Sequence, residues 1–239
     1  MNVVDRWKRQ LGALTGRAAY DAKGSRDAAA VAYARRMQRS QKERDHLTLP
    51  FHQLPVVVFD IETTGFSPRK GDTILSIGAV KLSGEKKEEF YSLLYSENDP
   101  PLVVKELTGI SREELIEAPA AENVLTDFLS FIQGHTLVAH HASHEKAFMN
   151  HSLWSLFRTR FDYRLLDTTF LTRLIPSMQH MQALDDCCNF LNIALEERHH
   201  ALADARITSE LWLKCVGLLE QQGYVNLKDI YAELAKQRH

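Results

Sequence analysis

Cysteine is scarce in this chain of 239 residues: Cys187, Cys188 and Cys215 are the only three. That is too few for a disulfide framework. The first two are adjacent rather than spaced C-x-x-C, so they match no thiol metal or redox motif. Long apolar runs are missing as well. No stretch approaches the roughly 18 apolar residues of a membrane span. The opening "MNVVDRWKRQLGAL" lacks the continuous apolar region of a secretory signal. No membrane association is therefore expected, and a reducing cytoplasm is the expected compartment. Internal repeats and low-complexity tracts do not occur, which excludes solenoid and linker-array architectures. Net charge is also nearly absent, at −2, within an ordinary globular composition of 44% hydrophobic and 25% charged residues.

That small net charge hides an asymmetry. Residues 1–46 hold 11 Lys/Arg against 5 Asp/Glu, while the remainder holds 18 against 26. A basic arm precedes an acidic body, and such an arm either touches nucleic acid or is a solvated helical extension. "SRDAAAVAYARRMQRSQKERDHL", from Ser25, is rich in Ala and Arg and free of Gly and Pro. It predicts a helix capped at Ser25 or Asp27. "TLPFHQLP" (Thr48–Pro55), with two prolines, reads as a linker. Beyond it, "PVVVFDIET", "TILSIGAVKL" and "EFYSLLY" predict three consecutive strands. Helical and strand patterns then alternate, starting with "AAENVLTDFLSFIQG" and "TLVAH". A meander followed by alternation implies an α/β fold, a mixed sheet with helices on its faces. The expected division is a basic, mostly helical extension and linker over 1–50, a main domain over 51–223 and a helical tail over 224–239.

The most apolar, β-branched run, Val56 to Phe59, reads as a strand buried on both faces, yet it ends in Asp60 and Glu62. At i and i+2 on a strand, these side chains leave the same face. Burying two like charges side by side is costly, so something must offset the repulsion. Paired oxygen ligands suit a hard divalent cation, Mg²⁺ or Mn²⁺. Taken alone, such a pair more often caps a loop or pairs with a base such as Arg69 or Lys70.

The flanking residues change those odds. "VVFDIETTG" closely resembles the first exonuclease motif of the DEDDh, or DnaQ-like, superfamily, whose members include the proofreading subunit of bacterial DNA polymerase III. The third motif of that family, H-x-A-L-x-D-A, is matched by "HHALADA", which places His199 five residues before Asp204 and His200 in the variable position. Five residues on a regular helix are about 140° apart, so His199 is expected just before the helix begins. His200 is expected to be an ordinary exposed or capping side chain. The second motif, A-H-N-A-x-F-D, meets "AHHASHE" (Ala139–Glu145), with His141 for Asn, His144 for Phe and Glu145 for Asp. Glu keeps the charge and the oxygens but adds a methylene, a shift of roughly 1 Å, and misplacement on that scale can cost about 10²-fold. Glu145 is nonetheless the expected substitute. A zinc site at His140, His141 and His144 lacks a thiolate or spaced acid to complete a tetrahedral set. The resemblance covers about Leu54 to Gly223.

It implies a ribonuclease H-like mixed sheet and a metal-dependent 3′–5′ exonuclease. Such an enzyme hydrolyses terminal phosphodiesters of single-stranded nucleic acid, DNA favoured, to nucleoside 5′-monophosphates with two divalent cations, Mg²⁺ or Mn²⁺. Carried over by position, Asp60 bridges the ions, Glu62 and Asp204 complete the first site, Glu145 supports the second, and His199 takes a proton from the attacking water. Thr63, Thr64, Gly65 and Phe66 would approach the terminal nucleotide, with Gly65 permitting a tight turn and Phe66 acting as a wedge or else a core residue. His140 and Phe148 would line the same pocket, Phe148 otherwise serving the core. Asp167 is expected to cap the helix after it. The implied partners are 3′ ends of DNA or RNA and a replication or repair polymerase. Two other outcomes stay open: an exoribonuclease trimming RNA or short oligonucleotides, and a nucleic-acid-binding or polymerase-tethered module whose catalysis has lapsed. Everything requires that Asp60, Glu62, Glu145 and Asp204 converge: any of Asp60, Glu62 or Asp204 turned away, or a basic side chain plugging the hollow among them, would collapse the nuclease reading.

Overall fold

The computed structural model describes residues 32, 33, 36, 46–83 and 86–237. Ala32, Tyr33 and Arg36 are helical, His46 and Leu47 at the expected end are not, and the rest of the helix expected from Ser25 lies outside the described residues. Strands β1 (Val56–Thr63), β2 (Ile74–Ser83), β3 (Lys86–Leu93), β4 (Thr136–Ala139) and β5 (Leu165–Asp167) form one sheet, in the order β3-β2-β1-β4-β5. The first three strands run antiparallel, and β4 and β5 add parallel to β1. This is the mixed sheet that a meander followed by alternation implies. The most apolar run thus becomes the central strand, with Val56 to Phe59 wholly buried.

Eight helices follow the meander or interleave with the later strands: α1 (Leu102–Thr108), α2 (Arg112–Glu117), α3 (Ala121–Phe131), α4 (Ser143–Phe157), α5 (Thr168–Leu174), α6 (Leu184–Phe190), α7 (Ala201–Gln221) and α8 (Leu227–Lys236). Periodicity left α1 and α2 unassigned because each spans under two turns. α2 is held instead by a capping box in which Ser111 and Glu114 satisfy each other's backbone amides. None of these helices is long and apolar enough to cross a membrane.

Alternation along β1 splits the core in two. Val57, Phe59 and Ile61 pack with Val124 and Phe128 of α3 and Met149 and Leu153 of α4. Val56 and Val58 pack on the other face with Leu171 of α5 and Leu211, Trp212 and Cys215 of α7. Asp60 and Glu62 continue that second row, so the period of two aims both carboxylates toward α7. The three cysteines, Cys187 and Cys188 of α6 and Cys215 of α7, are buried free thiols. The segment read as a linker is itself packed. Phe51 and Leu54 are buried in the second core, Pro50 bridges Asn226, and the Lys228 amide donates to the Leu47 carbonyl at 2.9 Å. α8 adds Leu227 and Ile230 to the same core.

One glycine decides how near α7 comes. Gly78 of β2 stands opposite Asp60 in the ladder. A Cβ there would run into the backbone of Ala201 and Leu202, in the first turn of α7. The bare backbone lets the helix rest directly on β2, which brings Asp204, one turn in, over Asp60. Gly78→Ala must push the helix away. The expected loss is about 1–3 kcal/mol in urea unfolding, typical of overpacking. Unchanged stability would mean that the helix does not seat there.

Candidate active site

The acids approach from three elements. Asp60 and Glu62 lie at the C-terminal end of β1, followed by an irregularity between Glu62 and Thr63. Glu145 is buried in the first turn of α4 and Asp204 in the first turn of α7. Their mutual influence is electrostatic. Burial raises Asp60 well above the ordinary carboxylate value, Asp204 raises it further, and Arg198 opposes the shift. Glu62 is raised by burial, then by Asp60 and Asp204, with Arg198 again opposing and Glu145 adding a smaller push. Glu145 is raised by burial and by Asp60, partly offset by a backbone N–H, with Asp167 adding to the rise. The four carboxylates form one field.

Glu62, His199 and Asp204 are the tightest part, with one ligand atom of each lying within 4.8 Å of the others. His199 precedes α7 in a left-handed conformation, φ 67°, and its backbone N–H donates to Asp204 Oδ2 at 3.1 Å. His200 caps the helix, its Nδ1 accepting from the Ala203 amide at 3.4 Å. Burial and Arg198 lower the His199 pKa, against raising by Asp204 and Asp185. Glu145 Oε2 is fully buried with no hydrogen-bond partner among the described residues. An orphaned buried carboxylate oxygen among raised acids is a donor set that fits a hard divalent cation.

The substrate-side residues divide. Thr63 Oγ1 donates to the Gly65 carbonyl at 2.7 Å and lies 3.4 Å from His144 Nε2. Thr64 binds Thr73 through the backbone and through its hydroxyl, which anchors the loop after β1. Gly65 sits against the Asp72 side chain. Its φ is not left-handed, but a Cβ would strike the Asp72 carboxylate, which itself accepts from the Ser67 amide. Phe66 is part-exposed and meets the His144 ring edge-on at 5.6 Å, with His144 in turn 4.8 Å from Phe148. Phe148 is buried in the first core, which removes it from a pocket lining.

His140 is also structural. Its Nε2 faces the Gln182 carbonyl at 2.9 Å, which can only accept, so Nε2–H donates and Nδ1 accepts from the Thr168 hydroxyl at 2.7 Å. Both ring nitrogens are used. Asp167 caps α5 by accepting from the Thr169 amide. It also accepts from the amides of His141 and Ala142, which clamps the loop carrying Glu145's helix. No short-range pattern marks that second role.

Sequence reasoning missed two side chains. Arg198 donates from Nε to Asp185 Oδ1 at 2.8 Å and from Nη1 to Asp204 Oδ1. It is the kind of basic side chain that, plugging the hollow, would collapse the nuclease reading; it bonds Asp204 and leaves Glu145 Oε2 without a partner among the described residues. Glu145 responds instead to burial, Asp60 and Asp167. The only available signal was an arginine directly before "HH" and an acid pair in "LDDCC".

Burial, reinforced by His141, holds His140 down at about 4. The unfolded ring titrates near ~6.5, so between those values the unfolded chain binds the extra proton. The stabilisation from a neutral His140 is complete above about 6.5 and declines as pH falls toward about 4, on the order of 3 kcal/mol across the window. The raised carboxylates act in the opposite sense, so overall stability does not isolate it. ¹⁵N NMR of the ring does: at pH 5, His140 should remain neutral with its proton on Nε2. A doubly protonated ring there would contradict the assigned bonds.

The exonuclease family model RNase_T matches residues 57–212. Over 179 residues the chain is 34% identical to the PolC-type DNA polymerase III of Caldanaerobacter subterraneus subsp. tengcongensis, covering 74% of this chain but 13% of that protein. The subunit epsilon of DNA polymerase III from Rickettsia typhi is 31% identical over 170 residues, with 67% and 73% covered. Among solved structures, the nuclease domain of 3′hExo, a DEDDh family member bound to rAMP, superposes with TM-score 0.60 at 17% identity, over 74% of this chain and 98% of that one. Exonuclease X in complex with 5′ overhanging duplex DNA gives 0.56 at 17% identity, over 73% and 98%. At that identity these structures speak for the fold, a ribonuclease H-like mixed sheet. The family match runs from β1 into the middle of α7 and so takes in all four acids: the chain belongs to the RNase_T exonuclease family, with a DNA polymerase III subunit epsilon among its relatives.

Proposed function

We propose that this chain is a 3′–5′ exonuclease that shortens single-stranded nucleic acid, DNA favoured, releasing nucleoside 5′-monophosphates. The observation that carries this is the crowding of Asp60, Glu62, Glu145 and Asp204 into one field, with a buried Glu145 oxygen left unbonded. Without a cation that arrangement is costly, and with one it is a ligand set. Asp60, Glu62, Glu145 and Asp204 would hold two divalent ions, Mg²⁺ or Mn²⁺, whose charge when bound stabilises the entering and departing oxygens of an in-line displacement. His199 serves as general base. Its left-handed backbone turns the ring toward Glu62 and Asp204, and its lowered pKa keeps a nitrogen free to take the water's proton.

The backbone from Thr63 to Phe66 receives the terminal nucleotide. Phe66, braced by His144, offers an aromatic face that is indifferent to base identity. DNA is favoured because the relatives described above are named as DNA polymerase III proteins. By the same names, a replication or repair polymerase is the partner class to test. The rAMP bound to one structural neighbour keeps RNA as a second substrate arm. Arg198 on Asp204 favours one other reading, a nucleic-acid-binding module that no longer cuts.

One assay separates these. The protein is incubated with matched 5′-labelled DNA and RNA oligonucleotides, with Mg²⁺ or Mn²⁺. Stepwise shortening is expected, faster on DNA, and abolished by chelator and by Asp60→Ala. Retention of the strand without mononucleotide release would instead select the binding module. Glu145→Asp should match or exceed the parent, while Glu145→Ala should lose about 10²-fold. Equal activity in both would remove Glu145 from the site.

A further inference from the structure

Both oxygens of Asp204 are already engaged. Oδ2 accepts from the His199 amide at 3.1 Å, which holds the turn before α7, and Oδ1 accepts from Arg198 Nη1. The first contact is backbone and fixed by the fold. The second is a side chain that also has somewhere else to go, because Arg198 Nε bonds Asp185 Oδ1 at 2.8 Å. Arg198 is mostly buried, at 23% exposure, and Asp204 more so at 7%, whereas Asp185 is open at 43%. A guanidinium's planar fork suits such double duty, since its donors point to two acceptors at once. Its field also reaches Asp60 and Glu62, where it opposes the repulsion from Asp204.

We propose that Arg198 is the resident counter-ion of the carboxylate cluster: it neutralises Asp204 in the metal-free protein, then yields Oδ1 to an incoming divalent cation while staying on Asp185. The inference rests on the metal-site reading above. It makes Arg198 a positioning residue, acting on metal affinity through Asp204. The physical reason is that four crowded carboxylates without a cation would repel one another through the core. One arginine relieves that repulsion at the cost of competing for the same oxygen.

The test uses the full chain and its Arg198→Gln and Asp185→Asn variants. Mn²⁺ binding is read from the loss of the free-ion EPR signal, and melting midpoints are taken in EDTA and in saturating Mn²⁺. Arg198→Gln should bind Mn²⁺ about tenfold tighter or more, and should melt lower than the parent in EDTA but not in Mn²⁺. A purely structural arginine would lower both midpoints alike, and that result overturns the proposal. So does unchanged or weaker Mn²⁺ binding. Asp185→Asn, a change at an open position, should weaken Mn²⁺ binding several-fold, because the displaced arginine loses its second partner. Tighter binding in that variant would equally sink the hand-over. Should the parent itself bind no Mn²⁺, the metal-site reading fails and this inference with it. A parent that binds while Arg198→Gln binds no better overturns only the inference.

Discussion

Like charge held at close quarters is the constraint on which this molecule turns. β1 ends in two acids on the face that meets α7, and α7 brings a third, Asp204, in its first turn. Nothing in apolar packing favours that meeting, since burial alone pushes Asp60, Glu62 and Glu145 far toward their protonated forms. The sheet and helices around it overdetermine the geometry. Two cores press on β1 from both sides, and Gly78 clears the space for the helix to land. Stability stored in the hydrophobic layers offsets the electrostatic cost of the site, a common division of labour between scaffold and chemistry.

Backbone conformation carries part of that cost too. His141 and His199, at the two loops that deliver Glu145 and Asp204, both lie in the left-handed region, φ 59° and 67°. Residues with a Cβ rarely adopt it without support. Asp167 supplies the support at the first loop by accepting from the amides of His141 and Ala142. Asp204 supplies it at the second by accepting from the amide of His199. A helix cap and a site acid thus double as braces for the turns that aim the other groups.

Arg198 complicates the picture in an instructive way. A cation against Asp204 is what a lapsed site would show, and under the proposal made above it is equally what a working site would hold before a metal binds. The difference lies in reach. The arginine's charge bears on Asp60, Glu62 and Asp204, while the Glu145 end keeps an unbonded, buried oxygen that no side chain satisfies among the described residues. An abandoned site has no reason to keep that oxygen bare, because a neutral replacement would be more stable.

Local rules read straight off the residues account for much of this protein. The period of two on β1 put Asp60 and Glu62 on one face, the stretch before "ALADA" had to leave the helix at His199, and the meander followed by alternation made the sheet mixed. Asp167 as a helix cap was legible because capping involves a neighbour two residues away. What the tertiary structure alone decided involves partners distant in sequence. His140 spends its ring on Thr168 and Gln182, Phe148 sinks into the core, Gly65 makes room for Asp72, and Gly78 makes room for α7. The pairing of Arg198 with Asp204 belongs with these despite its short separation, since the left-handed turn at His199 sets it. Period and capping act within a few residues and are written in the chain, whereas contacts across the sheet exist only once the layers have closed.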